Sequence, residues 1–167
     1  MDLEERVAEL ERRLAALEED ARRSSPSLDE GDFWALNGLK EQFAGLGATD
    51  GGVLFTGAVR LPTGERYDWQ HGALTGDLVD GDWTAAAESF AALGHPVRLR
   101  LLREILGGRR TAASLAELDE VGTTGQIYHH LRQLTGAGWL HTTGRGRHEV
   151  PPGRVVPLLV ALSAARP

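Results

Sequence analysis

Cysteine is absent from the 167 residues, which excludes disulfides, thiolate metal centres and cysteine nucleophiles together. Lysine is almost absent: Lys40 stands against seventeen arginines, a bias that GC-rich coding produces and that points to a bacterial source. No apolar run approaches the roughly 20 residues that a membrane-spanning helix needs, and the N-terminus is charged from Asp2 onward, unlike a signal peptide. The expected setting is the cytoplasm, with no membrane partner. Catalysis needs convergent groups, and no nucleophile with a base and no carboxylate pair recurs at a recognisable spacing. The glycine-rich stretch 45–52 does not end in the Gly-Lys-Ser/Thr of a phosphate loop. Neither an enzyme nor a cofactor is expected.

What is present is an uneven division of charge. The chain carries −6 in total, yet residues 94–154 hold nine arginines against Glu104, Glu117, Asp119, Glu120 and Glu149, a local +4 that leaves −10 elsewhere. Phosphate contacts need local positive potential rather than a basic whole, so an acidic protein with this distribution is compatible with nucleic-acid binding.

Three modules follow from periodicity and punctuation. Leu3, Val7, Leu10, Leu14, Leu17 and Ala21 step by four and three, the seam of a coiled coil with Leu3, Leu10 and Leu17 at d and Val7, Leu14 and Ala21 at a. A parallel pair matches Arg6 with Glu11 and Arg13 with Glu18 across the seam; an antiparallel pair opposes like charges. Residues 1–23 are therefore read as a short dimeric heptad helix, or as a lone amphipathic helix on its own domain, and the Ser- and Pro-containing stretch 24–31 as a linker. Residues 32–93 contain eight of the ten aromatics, enough for a compact core of their own. Within them the sequence predicts an Asp32-capped helix, then strands at 53–61 and 65–71 joined by a Pro-Thr-Gly turn. Phe55, Val59, Leu61, Tyr67 and Trp69 alternate onto one face of that hairpin, a face that needs a partner surface.

From Leu93 to Leu140 the grammar is helix, Gly-His-Pro break, helix, Thr-capped short helix, turn, Thr-capped second helix and Gly-Trp-Leu exit, the pattern of a DNA-reading helix-turn-helix. In the second capped helix Ile127, Leu131 and Leu134 share one face, while Gly125, Tyr128, His129 and Arg132 lie on the other. The runs 139–143 and 147–150 flank Gly144-Arg145-Gly146, a hairpin wing with arginine at its tip. The expected fold is mainly α with small β (α+β): a winged helix-turn-helix over 83–167, preceded by the heptad helix, the linker and a helix plus β-hairpin module over 32–82.

The segment Leu93-Gly-His-Pro-Val-Arg-Leu-Arg-Leu-Leu102 resembles the opening of ArsR-type winged-helix repressors, and Thr123-Thr-Gly-Gln-Ile-Tyr-His-His-Leu131 stands where that family has its recognition helix. The resemblance spans residues 84–163 or so and implies a homodimer whose first and last domain helices form the interface. It assigns subunit contacts to Phe90, Val155, Leu158, Leu159 and Leu162, beside the seam residues Leu3, Val7, Leu10, Leu14 and Leu17. This chain departs from the metal-sensing members: residues 112–118 carry no soft ligand and 155–165 no histidine or carboxylate, so no metal is expected.

The expected function is a homodimeric, sequence-specific regulator on the nucleoid, a repressor reading a pseudo-palindromic operator in double-stranded DNA. Thr123, Thr124, Gly125, Gln126, Tyr128, His129 and Arg132 are the candidate contacts of the recognition helix, and Arg145 and Arg147 those of the wing. His95, in a helix–helix corner, and His130, toward the packed side of its helix, are read as structural. The aromatic module either binds an apolar small-molecule effector or adds dimer surface. The reading from another class is a protein-interaction adaptor that uses coil and winged helix without touching DNA.

Overall fold

The computed structural model describes residues 33–166 together with Arg6, Val7, Arg12 and Arg13, which are helical. Val7 is exposed, whereas Leu3, Leu10, Leu14, Leu17, the 24–31 linker and the Asp32 cap lie outside the described residues. The chain divides into two units, Met1–Gly47 and Ala48–Pro167.

In the first unit, helix α1 (Trp34–Leu46) ends where Gly47 turns left-handed at φ 67°, which lets its N–H reach back to the carbonyls of Phe43 and Ala44. The helix buries none of its residues, and Phe33, Trp34, Leu36 and Leu46 are exposed.

The second unit opens with an antiparallel hairpin, β1 (Gly52–Arg60) and β2 (Arg66–Leu74). Its turn closes through Leu61 N–H to the Glu65 carbonyl and Gly64 N–H to the Leu61 carbonyl. Helices α2 (Thr75–Val79) and α3 (Thr84–Leu93) follow. The Trp83 indole donates to the Leu78 carbonyl at 2.7 Å, and Asp82 accepts from Thr84, whose hydroxyl first and N–H second hold its carboxyl below the usual range. Next come α4 (Pro96–Leu106), α5 (Ala112–Ala116) and α6 (Thr124–Gly136), the wing strands β3 (His141–Thr143) and β4 (Arg147–Glu149), and α7 (Pro152–Ala164). This is an α+β winged helix-turn-helix.

The core is mainly aliphatic, with Trp139 as its one buried aromatic among the described residues, and is shared by every helix from α3 onward. Leu101, Leu102 and Ile105 of α4, Leu115 of α5, Ile127, Leu131 and Leu134 of α6, and Val155 and Leu158 of α7 have almost no exposed surface. Each such side chain contributes roughly 1.5–3 kcal/mol of burial. Proline starts α4, where its missing N–H costs nothing, and His95 Nδ1 accepts from Val97 N–H to cap the same end.

The hairpin belongs to this body, so the unit boundary falls at Gly47 and Ala48 and not at the end of a 32–82 module. It lies on α7: an added Cβ at Gly57 would come within 2.7 Å of Val156 Cγ1, and one at Gly153 within 3.3 Å of the Trp69 ring. The small residues let strand and helix backbones approach closely. Val59 and Tyr67, a cross-strand pair on the predicted face, pack against the common core. The aromatics form no core of their own, because a two-stranded sheet has one face to bury and here it covers the last helix. Trp69 remains 41% exposed, Trp83 67% and Phe90 66%. Val155 and Leu158, assigned to a subunit contact from the resemblance, are instead fully buried within the protomer. Of the other residues so assigned on α7, Leu159 is half-buried and Leu162 exposed.

Candidate nucleic-acid interface

The helix that carries most candidate contacts is set by its two ends and its apolar stripe. Thr123 has extended backbone angles and its Oγ1 accepts from Gln126 N–H, while Gln126 Oε1 accepts from Thr123 N–H at 2.8 Å. This reciprocal capping box satisfies two amides that would otherwise point into solvent. Gly122 is required just before it: its φ is 92°, and a side chain there would meet Gln126 Oε1 at 2.5 Å. Ile127, Leu131 and Leu134 then anchor the helix, with 1% or less of each exposed.

The opposite face of α6 is open. Thr123, Thr124, Gly125, Gln126, Tyr128, His129 and Arg132 are all exposed, as the helical period requires. The helix contains no acidic residue, and Arg132 has no ion-pair partner among the described residues. Nothing lies within 4 Å of a side chain that might be added at Gly125, so the fold itself does not demand glycine there. Gln126 differs from the sequence reading: its carbonyl end is engaged in the cap, which leaves only its amide NH₂ to donate outward.

The wing is held by a network that sequence reasoning missed. The Arg110 guanidinium donates to Glu65 Oε2 at 2.5 Å and to Glu149 Oε1 at 3.1 Å, tying the β1–β2 turn to strand β4. Its side chain is only 13% exposed, and the two carboxylates answer its charge. The bond to Arg110, with a second from Thr63, holds the Glu65 carboxyl below its usual range. The His148 N–H reaches the Arg110 carbonyl, and Thr111 forms an isolated antiparallel bridge to Arg147, so the residues before α5 are tied to the outer edge of the wing. No local signal marks Arg110, since its partners lie 45 and 39 residues away.

At the wing tip Arg145 and Gly146 both adopt left-handed angles, φ 65° and 67°, and Arg145 is exposed with no ion-pair partner among the described residues. Arg147 is exposed as well, but its Nε sits 3.8 Å from Glu149 Oε1, so part of its charge is answered within the fold. Arg145 is the free cation of the pair.

Behind the exposed face His130 lies beside His95 in the helix–helix corner. The His95 and His130 rings lie 4.7 Å apart where α4 meets α6, and His129 meets His130 edge-on at 5.7 Å from the outer side. Burial holds His130 below the usual imidazole range, and neighbouring His95, Arg98 and His129 add to the effect. The other flank of the domain is fastened by Trp139, whose indole donates to Ser89 Oγ at 3.0 Å on α3 and carries Arg154 5.0 Å above its ring.

No helix among the described residues is long and apolar enough to cross a membrane. Residues 93–142 match a family model described as a helix-turn-helix domain. The matched stretch runs from the end of α3 through α6 into the first wing strand, and such a domain points to a DNA-binding regulator. No curated protein and no solved structure matches the chain.

Proposed function

We propose that the protein is a homodimeric transcriptional repressor of the ArsR type that reads a pseudo-palindromic operator in double-stranded DNA and does not respond to metals. One observation carries the reading: the outward face of α6 presents hydrogen-bond donors and the Arg132 cation without a single carboxylate, and within the fold only the Thr123–Gln126 cap and the edge contact of His129 with His130 engage any of them. In a major groove Arg132 donates to guanine edges or phosphate, Tyr128, His129 and the Gln126 amide donate to either, and Thr124 with the free amides of the helix start takes a phosphate. Open space at Gly125 lets the backbone approach the duplex. Arg145 enters the flanking minor groove or binds its phosphate walls.

Two such helices about one turn of B-DNA apart demand a two-fold dimer. The heptad seam of residues 3–21 favours a parallel pair, and Phe90 on α3 supports an interface of the first domain helix because it is 66% exposed. With α5 spelled Ala-Ala-Ser-Leu-Ala and α7 free of histidine and carboxylate, the places where relatives of this type hold metals offer no ligand set.

The test begins with fragments of the source genome selected on the purified protein. On a selected duplex, Arg132→Ala and Arg145→Ala are each expected to weaken binding by about tenfold or more, on the scale of ~1–3 kcal/mol per base-edge or phosphate contact. The slope of log K against log salt should flatten by about one for each phosphate contact removed. Affinity unaltered in both variants, with normal thermal melts, would remove the assignment. A flat salt slope in the parent favours the adaptor reading instead.

A further inference from the structure

We propose that the cleft between α4, α7 and the β1–β2 turn binds a straight-chain aliphatic carboxylate, a second ligand site on the far side of α4 from the recognition helix. The cleft holds about 700 Å³, within the range of small-molecule sites. Its floor is made by Leu102 and Leu158, which the core already buries, and its walls by Leu99 and Leu106 on one side and Leu159 and Leu162 on the other. Leu61 and Pro62 close the hairpin end.

The chemistry of this lining selects the ligand. It contains no aromatic ring on which a planar molecule could stack, and no hydroxyl or amide side chain to read a sugar, nucleoside or peptide. What remains is aliphatic surface that rewards methylene groups and little else. Its polar side chains are Arg100, Arg103 and Glu104. Glu104 already faces Arg100 at 3.7 Å and Arg109 at 3.5 Å, whereas Arg103 is exposed and has no ion-pair partner among the described residues. The mouth therefore carries unmatched positive charge at the last turn of α4, and a carboxylate complements it while the chain lies along the leucines. Metals and aromatic effectors find no such match.

The site is coupled to the DNA-facing helix, because α4 packs on α6 from its other side. If the proposed function holds, a ligand that wedges α4 away from α7 moves the seat of α6 and changes operator affinity. Binding itself does not depend on that function.

The experiment is calorimetric titration of the full chain with octanoate, decanoate and dodecanoate below their micelle concentrations, and with the matching primary alcohols. Each added methylene should tighten Kd about fourfold, and each carboxylate should bind about tenfold more tightly than its alcohol. Arg103→Gln should erase the carboxylate advantage and leave the alcohols unchanged. Leu162→Asp, a change at an exposed position, should weaken every ligand and the carboxylates most. Absence of saturable heat, affinity independent of chain length, or a carboxylate advantage that survives Arg103→Gln overturns the site. If Leu162→Asp converts a dimer to monomer in sedimentation while the parent takes up no decanoate, the cleft is a contact between copies and the proposal fails. Gel shifts without ligand on the same samples report DNA binding separately, so either reading can fail while the other stands.

Discussion

Single residues decide how closely the parts of this protein approach one another. Gly57 is the sharpest case, since even a methyl group there would overlap Val156 Cγ1, an atom on a short, stiff and buried side chain that cannot swing aside. Gly57→Ala should therefore destabilise the fold by ~1–3 kcal/mol. Gly72→Ala on the partner strand would meet nothing nearer than 3.6 Å and should cost far less. Urea unfolding midpoints of the two variants make the comparison. Arg110 acts in the other direction, as one guanidinium that joins Glu65 and Glu149 and so couples the hairpin turn to the wing. Both residues illustrate what local sequence cannot report: an arginine in an Arg-Arg pair and a glycine in a Gly-rich strand look interchangeable with their neighbours until distant partners are placed.

At the scale of elements, the recognition helix depends on its cap. Thr123→Ala removes the side-chain acceptor for Gln126 N–H and leaves only the half of the box that the residue-123 backbone N–H donates, with an expected cost of about 1 kcal/mol. Thr123→Ser should restore most of it, and thermal denaturation distinguishes the two. The packing of α6 on α4 also has a pH signature. His130 at that corner and His148 in the wing are both held below the ordinary imidazole value, chiefly by burial. The unfolded chain therefore takes up protons first, and stability is full above about pH 6.5 and falls as the pH drops from there through the depressed values. Chemical denaturation at pH 8 and pH 5.5 should show the loss, and His130→Gln should flatten the slope. A stability that rises on acidification would contradict the burial of both rings.

At the scale of the whole molecule, the hairpin is part of the winged unit and not of a separate module. A fragment of residues 48–167 keeps Val156 covered and should unfold in one cooperative transition. A fragment of residues 83–167 strips the hairpin from α7, bares the Val156 and Gly153 face, and breaks the Glu65–Arg110 bridge. It should be markedly less stable or aggregate, as circular dichroism and sedimentation would report. Equal stability of the two fragments would mean that the hairpin is an appendage.

Local rules were enough to read the winged domain from the chain alone. The 3.6-residue spacing of Ile127, Leu131 and Leu134 sets which face of α6 is buried, Thr111 and Thr123 set where helices begin, and the glycines around Arg145 set the wing tip. These signals act within a few residues, so no knowledge of the rest of the fold is needed to see them. Alternation likewise identified the apolar face of the hairpin, but not what it covers. That choice, with the burial of Val155 and Leu158, the Arg110 bridge and the leucine cleft, was made by tertiary structure. Each joins side chains many residues apart, and contacts of that range depend on how hairpin and helices pack, which no local pattern encodes.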